Sequence, residues 1–588
     1  MDLKAIDAPP TELEREAVDL VLGPAPEKEP PLSARVADER RTLLLPALHA
    51  LQDACGWVSP GGLGYACRRL GVPPAEGYGV ASFYSLFSLE PRPAVFAHVC
   101  DDVACAAAGA EQVCAGLSAR KDWARSPCLG LCEQAPAALV TRARGRSEEL
   151  GRVDAAKVKA ALEGAPTTPL MPHLEALGPR KLLLRAGKID PTSLDEYRAH
   201  RGYEALRRAV ELGPEGVLRE ISDAKLVGRG GAAFPTGRKW EAVARAPVRP
   251  HYVVCNADES EPGTFKDRVL LEHDPFGLVE AMTIAGFATG AEQGFIYLRG
   301  EYPRAHQRLT NAIEVARRRG LLGAKILGRG FTFDLELRRG AGAYICGEET
   351  ALFNSLEGYR GEPRNKPPFP VQAGLFGRPT AINNVETLVA VLDIVRDGAA
   401  SYASVGTAGS PGTKLFCVSG KVVRPGVYEV PFGTKLRDLL AFAGGVVDGR
   451  KLRAILLGGA AGVFIGPDQL DVPLSFEHTR AAGLTLGSGV VLLLDETDAL
   501  APLLHRIAAF FRDESCGQCV PCRVGTVRQE ELLARLAAKH PLGSVEQELA
   551  LFKELAQSMR DASICGLGQT ASSAIESALR LRPFEEQP

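Results

Sequence analysis

Hydrophobic positions along the chain change period several times, and the changes divide it. Residues 1–35 are rich in Pro and Glu and hold no sustained apolar repeat, which predicts a mobile tail. From residue 39 to 71 the repeat becomes helical. Leu44, Leu48 and Leu51 recur at three- and four-residue steps, and Gly56 follows as a stop. A second helix is expected over 61–70 and a third after Pro73 and Pro74. Residues 94–100 read as a strand running into a cysteine, 137–141 as another, with helical composition over 106–120 between them. Strand, helix and strand suggest a small α/β domain closing near residue 165. The Pro- and Thr-rich stretch 165–172 reads as a linker.

Beyond residue 200 the pattern predicts strands over 251–255, 294–298 and 333–338. Helices are predicted over 203–212, 275–289 and 305–319, giving a large α/β region. The texture then changes: strands at 414–418 and 427–430 flank a turn at Arg424, Pro425 and Gly426, a helix follows at 436–443, and a strand at 489–494 closes a small sheet domain. From 499 onward the chain is helical. The expected organisation is a tail (1–35), a helical subdomain (36–90), a small α/β domain (91–165), a linker (166–200), an α/β domain (201–412), a small sheet domain (413–495) and a helical domain (496–588). The fold class is therefore α/β multidomain.

Charge narrows the function. A net charge of −2 over 588 residues, with 24% charged residues, argues against binding nucleic acid or membrane by bulk electrostatics. The apolar run 490–494 is too short to span a bilayer, so no transmembrane segment is expected. The first 16 residues lack an apolar signal core, which predicts a cytoplasmic protein with reduced thiols. Fourteen cysteines then need explaining. Cys55, Cys67, Cys255, Cys346 and Cys417 are scattered singly, as small buried hydrophobes are. Cys114 lies between two paired cysteines. The other eight cluster, which in a reducing compartment points to metal ligands or redox groups.

Cys516, Cys519 and Cys522 sit at two-residue gaps, so one loop can present three thiolates to one centre. A bacterial ferredoxin run would place a fourth cysteine at 526, which here is Thr, so Cys565 is the downstream candidate. The triple spacing suits a 4Fe–4S cluster, with structural zinc as the alternative. The N-terminal set, Cys100 with Cys105 and Cys128 with Cys132, is a four-thiolate site open to 2Fe–2S or zinc.

Gly228, Gly230, Gly231 and Ala233 nearly fit a dinucleotide fingerprint, but a helix rather than a strand precedes them. They read better as a glycine loop whose amides approach a phosphate or an aromatic ring, with Lys239 able to neutralise a phosphate; a plain tight turn is the competing reading. Asp258, Glu259 and Glu261 place three carboxylates directly after a strand, where ligands often bind, although a solvated turn would look the same. Residues 339–350 run from a strand through glycines to Glu348 and Glu349, followed by Lys366, Phe369, Asn383 and Asn384.

These segments together resemble the NADH-binding flavoprotein subunit of respiratory complex I and its soluble relatives. Residues 36–165 resemble the small thioredoxin-like 2Fe–2S subunit that partners it. The fusion of the two is similar to the beta subunit of NAD-dependent formate dehydrogenases, and alternatively to the diaphorase subunit of NAD-linked bidirectional hydrogenases. The resemblance implies a helical bundle plus thioredoxin-like domain, an α/β flavin domain, a β-grasp domain and a C-terminal helical cluster domain. It implies FMN, NAD(H), one 2Fe–2S cluster on Cys100, Cys105, Cys128 and Cys132, and one 4Fe–4S cluster on Cys516, Cys519, Cys522 and Cys565. FMN would be held by Gly228, Arg229, Gly230, Gly231, Lys239, Asn256, Asp258, Glu259, Tyr344, Gly347, Asn383 and Asn384. Glu349 would contact the nucleotide, with Glu348 also among the cofactor-binding residues; Phe234 and Phe369 would flank the adenine, and Lys366 would meet a phosphate or ribose. Glu261 would stand beside the reacting rings, as an electrostatic and positioning group. Ala233 departs from the glycine usual in the loop, and Ala242 from an aromatic usual near the adenine. Iron–sulfur and catalytic metal subunits, with molybdenum or tungsten for formate or nickel and iron for hydrogen, would supply the other half-reaction.

Overall fold

The computed structural model describes residues 8–25 and 39–584. Within the stretch expected to be a tail, Glu12–Leu22 form a helix. Thr11 and Glu14 cap it reciprocally, and Val18 is buried against the helices Leu44–Cys55 and Pro60–Leu70. Its apolar face is too short to show as a repeat, so the capping box was the available signal. The rest of the expected tail, 1–7 and 26–35, lies outside the described residues. Gly56, left-handed at φ 82°, ends the helix Leu44–Cys55, and Ser59 caps Pro60–Leu70.

The next domain is a four-stranded sheet in the order Trp123–Ser126, Val95–Cys100, Ala137–Arg142, Glu148–Gly151. The first pair is parallel and the others antiparallel. The single helix expected at 106–120 is two, Val103–Ala107 and Ala110–Leu117, parted by left-handed Gly109. The expected linker also does more than connect. His173–Ala176 pair in parallel with Gly426–Pro431 and become the edge of a six-stranded sheet, with the backbone amides of Lys181, Leu182 and Leu183 on the buried Glu429 carboxylate.

Between these lies a four-stranded, wholly parallel sheet in the order Asp334–Arg339, Gln293–Leu298, Tyr252–Ala257, Thr380–Asn384. The helix Pro275–Thr289 is apolar nearly all round and correspondingly buried. The helix expected over 203–212 continues as Glu204–Asp223, kinked at Gly213 and Pro214. Leu500–Asp513, Val520–Ala537 and Val545–Ala562 form the C-terminal bundle. One hydrophobic core runs through the N-terminal helices, the parallel sheet and this bundle, so the pieces are packed as one body.

Candidate functional site

The carboxyl ends of the four parallel strands gather most of the residues singled out by the sequence, as expected for an open α/β sheet. Asn256, in the central strand, donates from Nδ2 to the Gly347 carbonyl at 2.8 Å and accepts the Asp258 amide at 3.1 Å. Asp258 Oδ2 is buried without a hydrogen-bond partner, and burial pushes the carboxyl well above its usual range. Such an orphaned acceptor is what a bound ligand's N–H or O–H would satisfy.

The glycine loop closes on itself through the Gly228 amide and the Phe234 carbonyl, 2.9 Å apart. Gly230 packs against Asn384, where a Cβ would come within 3.1 Å of the Asn384 Cβ. Gly231 has φ 124° and open space where a Cβ would stand, so its backbone can be approached closely. Ala233 sits at φ 51°, in the left-handed region that favours glycine. Lys239 Nζ donates to the Ile382 carbonyl at 2.7 Å; burial lowers its pKa and Glu349 opposes that. Trp240 Nε1 donates to Asn383 Oδ1 at 2.8 Å, and Asn384 caps the helix Val385–Asp397. Glu348 caps Glu349–Leu356 and, with Glu349, holds Lys366 at 2.8 and 2.9 Å. Phe234 and Phe369 are half exposed, at 51% and 52%.

Arg229 points elsewhere. Its guanidinium donates to the Tyr402 hydroxyl and the Pro411 carbonyl and lies over the Phe432 ring, while its backbone amide donates to Thr387 Oγ1. What this residue offers the loop is backbone. Glu259 also turns inward, accepting the amides of Asp267 and Arg268 and the Tyr302 hydroxyl. Glu261 accepts the Tyr344 hydroxyl at 2.6 Å and the Ala461 amide, from the small sheet domain, at 2.8 Å; burial pushes its carboxyl up to about 7. The Tyr344 amide donates to Glu514 at 2.8 Å, two residues before Cys516. Ala461 and Glu514 were not foreseen as residues of this site, because each meets it across more than a hundred residues of chain.

Cys516, Cys519, Cys522 and Cys565 line one cavity with Ile345, Pro363 and Leu567. Cys519 and Cys565 are helix N-caps, so thiolates there would face helix amino ends. Thr526, at the ferredoxin position, donates to the Cys522 carbonyl. Burial raises Cys522 to about 12 and Cys565 to about 11, so metal must displace those protons. Cys100, Cys105, Cys128 and Cys132 are all buried, with Cys128 Sγ 3.4 Å from Cys132 Sγ. Hydrogen bonds from Cys100 and Cys132 hold Cys128 well below the usual thiol range. No cysteine is in a disulfide. Among the described residues, no three His, Cys, Asp or Glu side chains take up the geometry of a single-ion site. Two sets of four neighbouring thiols supply the four cysteine ligands that an iron–sulfur cluster takes.

Comparison with known proteins gives these sites their setting. Residues 221–393 match the Nuo51 FMN-binding domain, 502–587 the NADH-ubiquinone oxidoreductase-F iron-sulfur binding region, 32–165 the thioredoxin-like [2Fe-2S] ferredoxin and 415–462 the SLBB domain. The F subunit of the NADH-quinone oxidoreductase of Aquifex aeolicus (strain VF5) is 44% identical over 71% of this chain and 96% of its own length. The chain belongs to this family of NADH-oxidising flavoprotein subunits. The HndC subunit of the NADP-reducing hydrogenase of Solidesulfovibrio fructosivorans is 44% identical over 67% of this chain and 80% of the relative. A chain of NAD+-reducing [NiFe]-hydrogenase in the air-oxidized state superposes with TM-score 0.80 at 34% identity, covering 93% of this chain and 94% of the other. Membership brings FMN, a 2Fe–2S cluster and a 4Fe–4S cluster, and the subunit's work is flavin- and iron–sulfur-dependent oxidation of NADH within a larger complex. No helix among the described residues is long and apolar enough to cross a membrane.

Proposed function

We propose that this chain is the diaphorase subunit of a cytoplasmic, NAD-linked nickel–iron hydrogenase. The observation that carries this reading is the likeness of nearly the whole chain, 93% of it, to one chain of an NAD+-reducing [NiFe]-hydrogenase. A formate dehydrogenase, expected from the sequence, is the other assignment, and the partner's metal separates the two.

When bound, FMN supplies the conversion between the hydride's two electrons and the single electrons that iron–sulfur clusters carry. The chain's residues bind and orient. Amides of Gly228, Gly230 and Gly231, with Lys239, suit the flavin phosphate. Asn256, Asp258, Tyr344, Gly347, Asn383 and Asn384 wall the site, and the orphaned Asp258 Oδ2 accepts a ligand donor. Phe234 and Phe369, both half exposed, suit the adenine. Glu349 and Lys366, paired at 2.9 Å, offer an acceptor and a cation to ribose and phosphate. Glu261, fixed by Tyr344 and Ala461, positions the nicotinamide. Cys516, Cys519, Cys522 and Cys565 hold the 4Fe–4S cluster; Cys100, Cys105, Cys128 and Cys132 hold the 2Fe–2S cluster.

The test is anaerobic purification with the natural partners, followed by optical and low-temperature EPR spectra before and after NADH. The expected outcome is flavin bleaching, one 2Fe–2S and one 4Fe–4S signal, and copurifying nickel. Molybdenum or tungsten in its place assigns the chain to a formate dehydrogenase. A colourless, zinc-bearing protein unmoved by NADH overturns the electron-transfer reading.

A further inference from the structure

The loop from Cys128 to Cys132 does not end at its own domain. Two arginines of the flavin domain reach its backbone. Arg299, just past the strand Gln293–Leu298 and 2% exposed, donates from Nη2 to the Cys128 carbonyl at 2.5 Å. Its other terminal nitrogen donates to the Glu259 carbonyl at 2.5 Å, in the loop after the central strand. Arg268 Nε donates to the Gly130 carbonyl at 3.0 Å, and its Nη2 pairs with Glu133. Gly130 packs against Tyr302, whose hydroxyl would be 2.2 Å from a Cβ at that position. Glu301 closes the arrangement, with Oε1 2.9 Å from Arg299 Nη2 and Oε2 3.2 Å from its Nε.

A fixed charge in such a sealed place acts strongly on a redox centre. Reducing a cluster adds one electron and breaks no bond, so the reduced form gains a negative charge. A nearby cation stabilises that form and a nearby anion opposes it, and with water excluded the field is weakly screened. Arg299 donates to the cysteine's own carbonyl, whereas among the described residues the hydrogen bonds of the Glu301 carboxylate come from Arg299, so the cation is the nearer of the two.

We propose that the Arg299–Glu301 ion pair is a positioning and tuning device for the 2Fe–2S centre, operated from the flavin domain: Arg299 raises its reduction potential and Glu301 restrains that rise. The same guanidinium fixes the Cys128 carbonyl and the Glu259 carbonyl, so the cluster loop and the nucleotide loop are held in one register. The proposal rests on the assignment of Cys128 as a ligand made above.

The test is a redox titration of the full chain with FMN and both clusters bound, read by the EPR amplitude of the 2Fe–2S signal. In Arg299→Met, at the wild-type midpoint, the reduced-to-oxidised ratio falls about tenfold, which for a one-electron couple is a shift of about 59 mV. In Glu301→Gln the ratio moves the other way by a smaller factor, and the double variant returns toward wild type. A purely structural role would not move the two single variants in opposite directions. Shifts of the same sign, or none, with the full signal retained, overturn the proposal. If Arg299→Met fails to assemble its cluster, Glu301→Gln decides alone, because it keeps the side chain's shape: an unchanged or lowered potential overturns the idea. Absence of any 2Fe–2S signal in the wild-type protein would instead overturn the ligand assignment.

Discussion

The two cysteine sites hold four thiols each and are built in opposite ways. Cys100, Cys105, Cys128 and Cys132 are all buried, and their second loop is pressed against Arg268, Arg299 and Tyr302 of the flavin domain. At the other site only Cys522 is buried; Cys516, Cys519 and Cys565 are half-buried. Val520 and Val524, on the helix that carries Cys522, stand exposed at 59% and 44%. A walled site exchanges electrons only with what is packed beside it, whereas a site near the surface can also serve another chain. Under the proposed function, the difference is what a side store on one hand and an exit on the other would require, and Glu261 and Tyr344 join the flavin site to the second through Glu514.

The largest expected effect separates the sites outright. Cys522→Ser should abolish the 4Fe–4S EPR signal and electron delivery to the partner, while the 2Fe–2S signal and NADH bleaching of the flavin remain. Loss of both cluster signals in a folded, flavin-loaded protein would show that the sites are not built independently.

The wall itself is the next target. Gly130 holds φ 66°, and a Cβ there would meet the Tyr302 hydroxyl and ring at 2.2–2.8 Å. Strain of the left-handed backbone costs about 1–2 kcal/mol and overpacking against a buried ring about 1–3 kcal/mol. Gly130→Ala should therefore destabilise the N-terminal domain's docking by about 3 kcal/mol, seen as a lowered Tm and faster loss of the 2Fe–2S signal. Adding Tyr302→Phe should recover only part, because ring carbons as well as the hydroxyl obstruct the methyl.

Between the sites, Glu261 gives a pH signature. Burial raises its carboxyl to about 7, against 4.5 for the ordinary group. The folded state then holds a proton that the unfolded chain releases. The stabilising contribution is full below about 4.5 and is lost as pH rises through about 7. Glu261→Gln removes that loss, so the variant's Tm relative to wild type should climb between pH 5 and 8. The climb should be equivalent to about 2 kcal/mol, since each pH unit separating the two values is worth about 1.36 kcal/mol before a discount for partial solvent access. A flat difference across that range would mean that Glu261 titrates as an ordinary surface carboxylate.

How much of this could be read from the chain follows from how local each signal is. The cysteine spacings, the glycine loop and the helix Pro275–Thr289, bounded by Pro and Gly, are written within a few residues of one another. The strand Thr380–Asn384 and the helix behind it were not foreseen, since five residues with two terminal asparagines carry little strand signal until a parallel neighbour supplies hydrogen bonds. The edge strand His173–Ala176, half-buried throughout, shows no alternation for the same reason. The site's cross-links, Glu261 to Ala461, Tyr344 to Glu514 and Arg299 to Cys128, join positions 200, 170 and 171 residues apart. Only the folded chain brings them together. Arg229 shows the converse: its motif position was legible, but its side chain's direction is set by Tyr402 and Phe432.

The smallest effect completes the comparison of the two loops, because each contains one left-handed glycine. Gly517, between Cys516 and Cys519, has φ 80°, yet a Cβ there would find only the Arg523 Cδ, at 3.8 Å. Space is therefore no obstacle, and an added methyl meets only the backbone's handedness, at about 1 kcal/mol. Gly517→Ala should lower the Tm by a few degrees at most and leave the 4Fe–4S signal intact, in contrast to Gly130→Ala at the walled site. Equal losses from the two substitutions would mean that packing against the flavin domain does not distinguish the sites, since the backbone strain at both glycines is alike and the neighbouring Tyr302 is what differs.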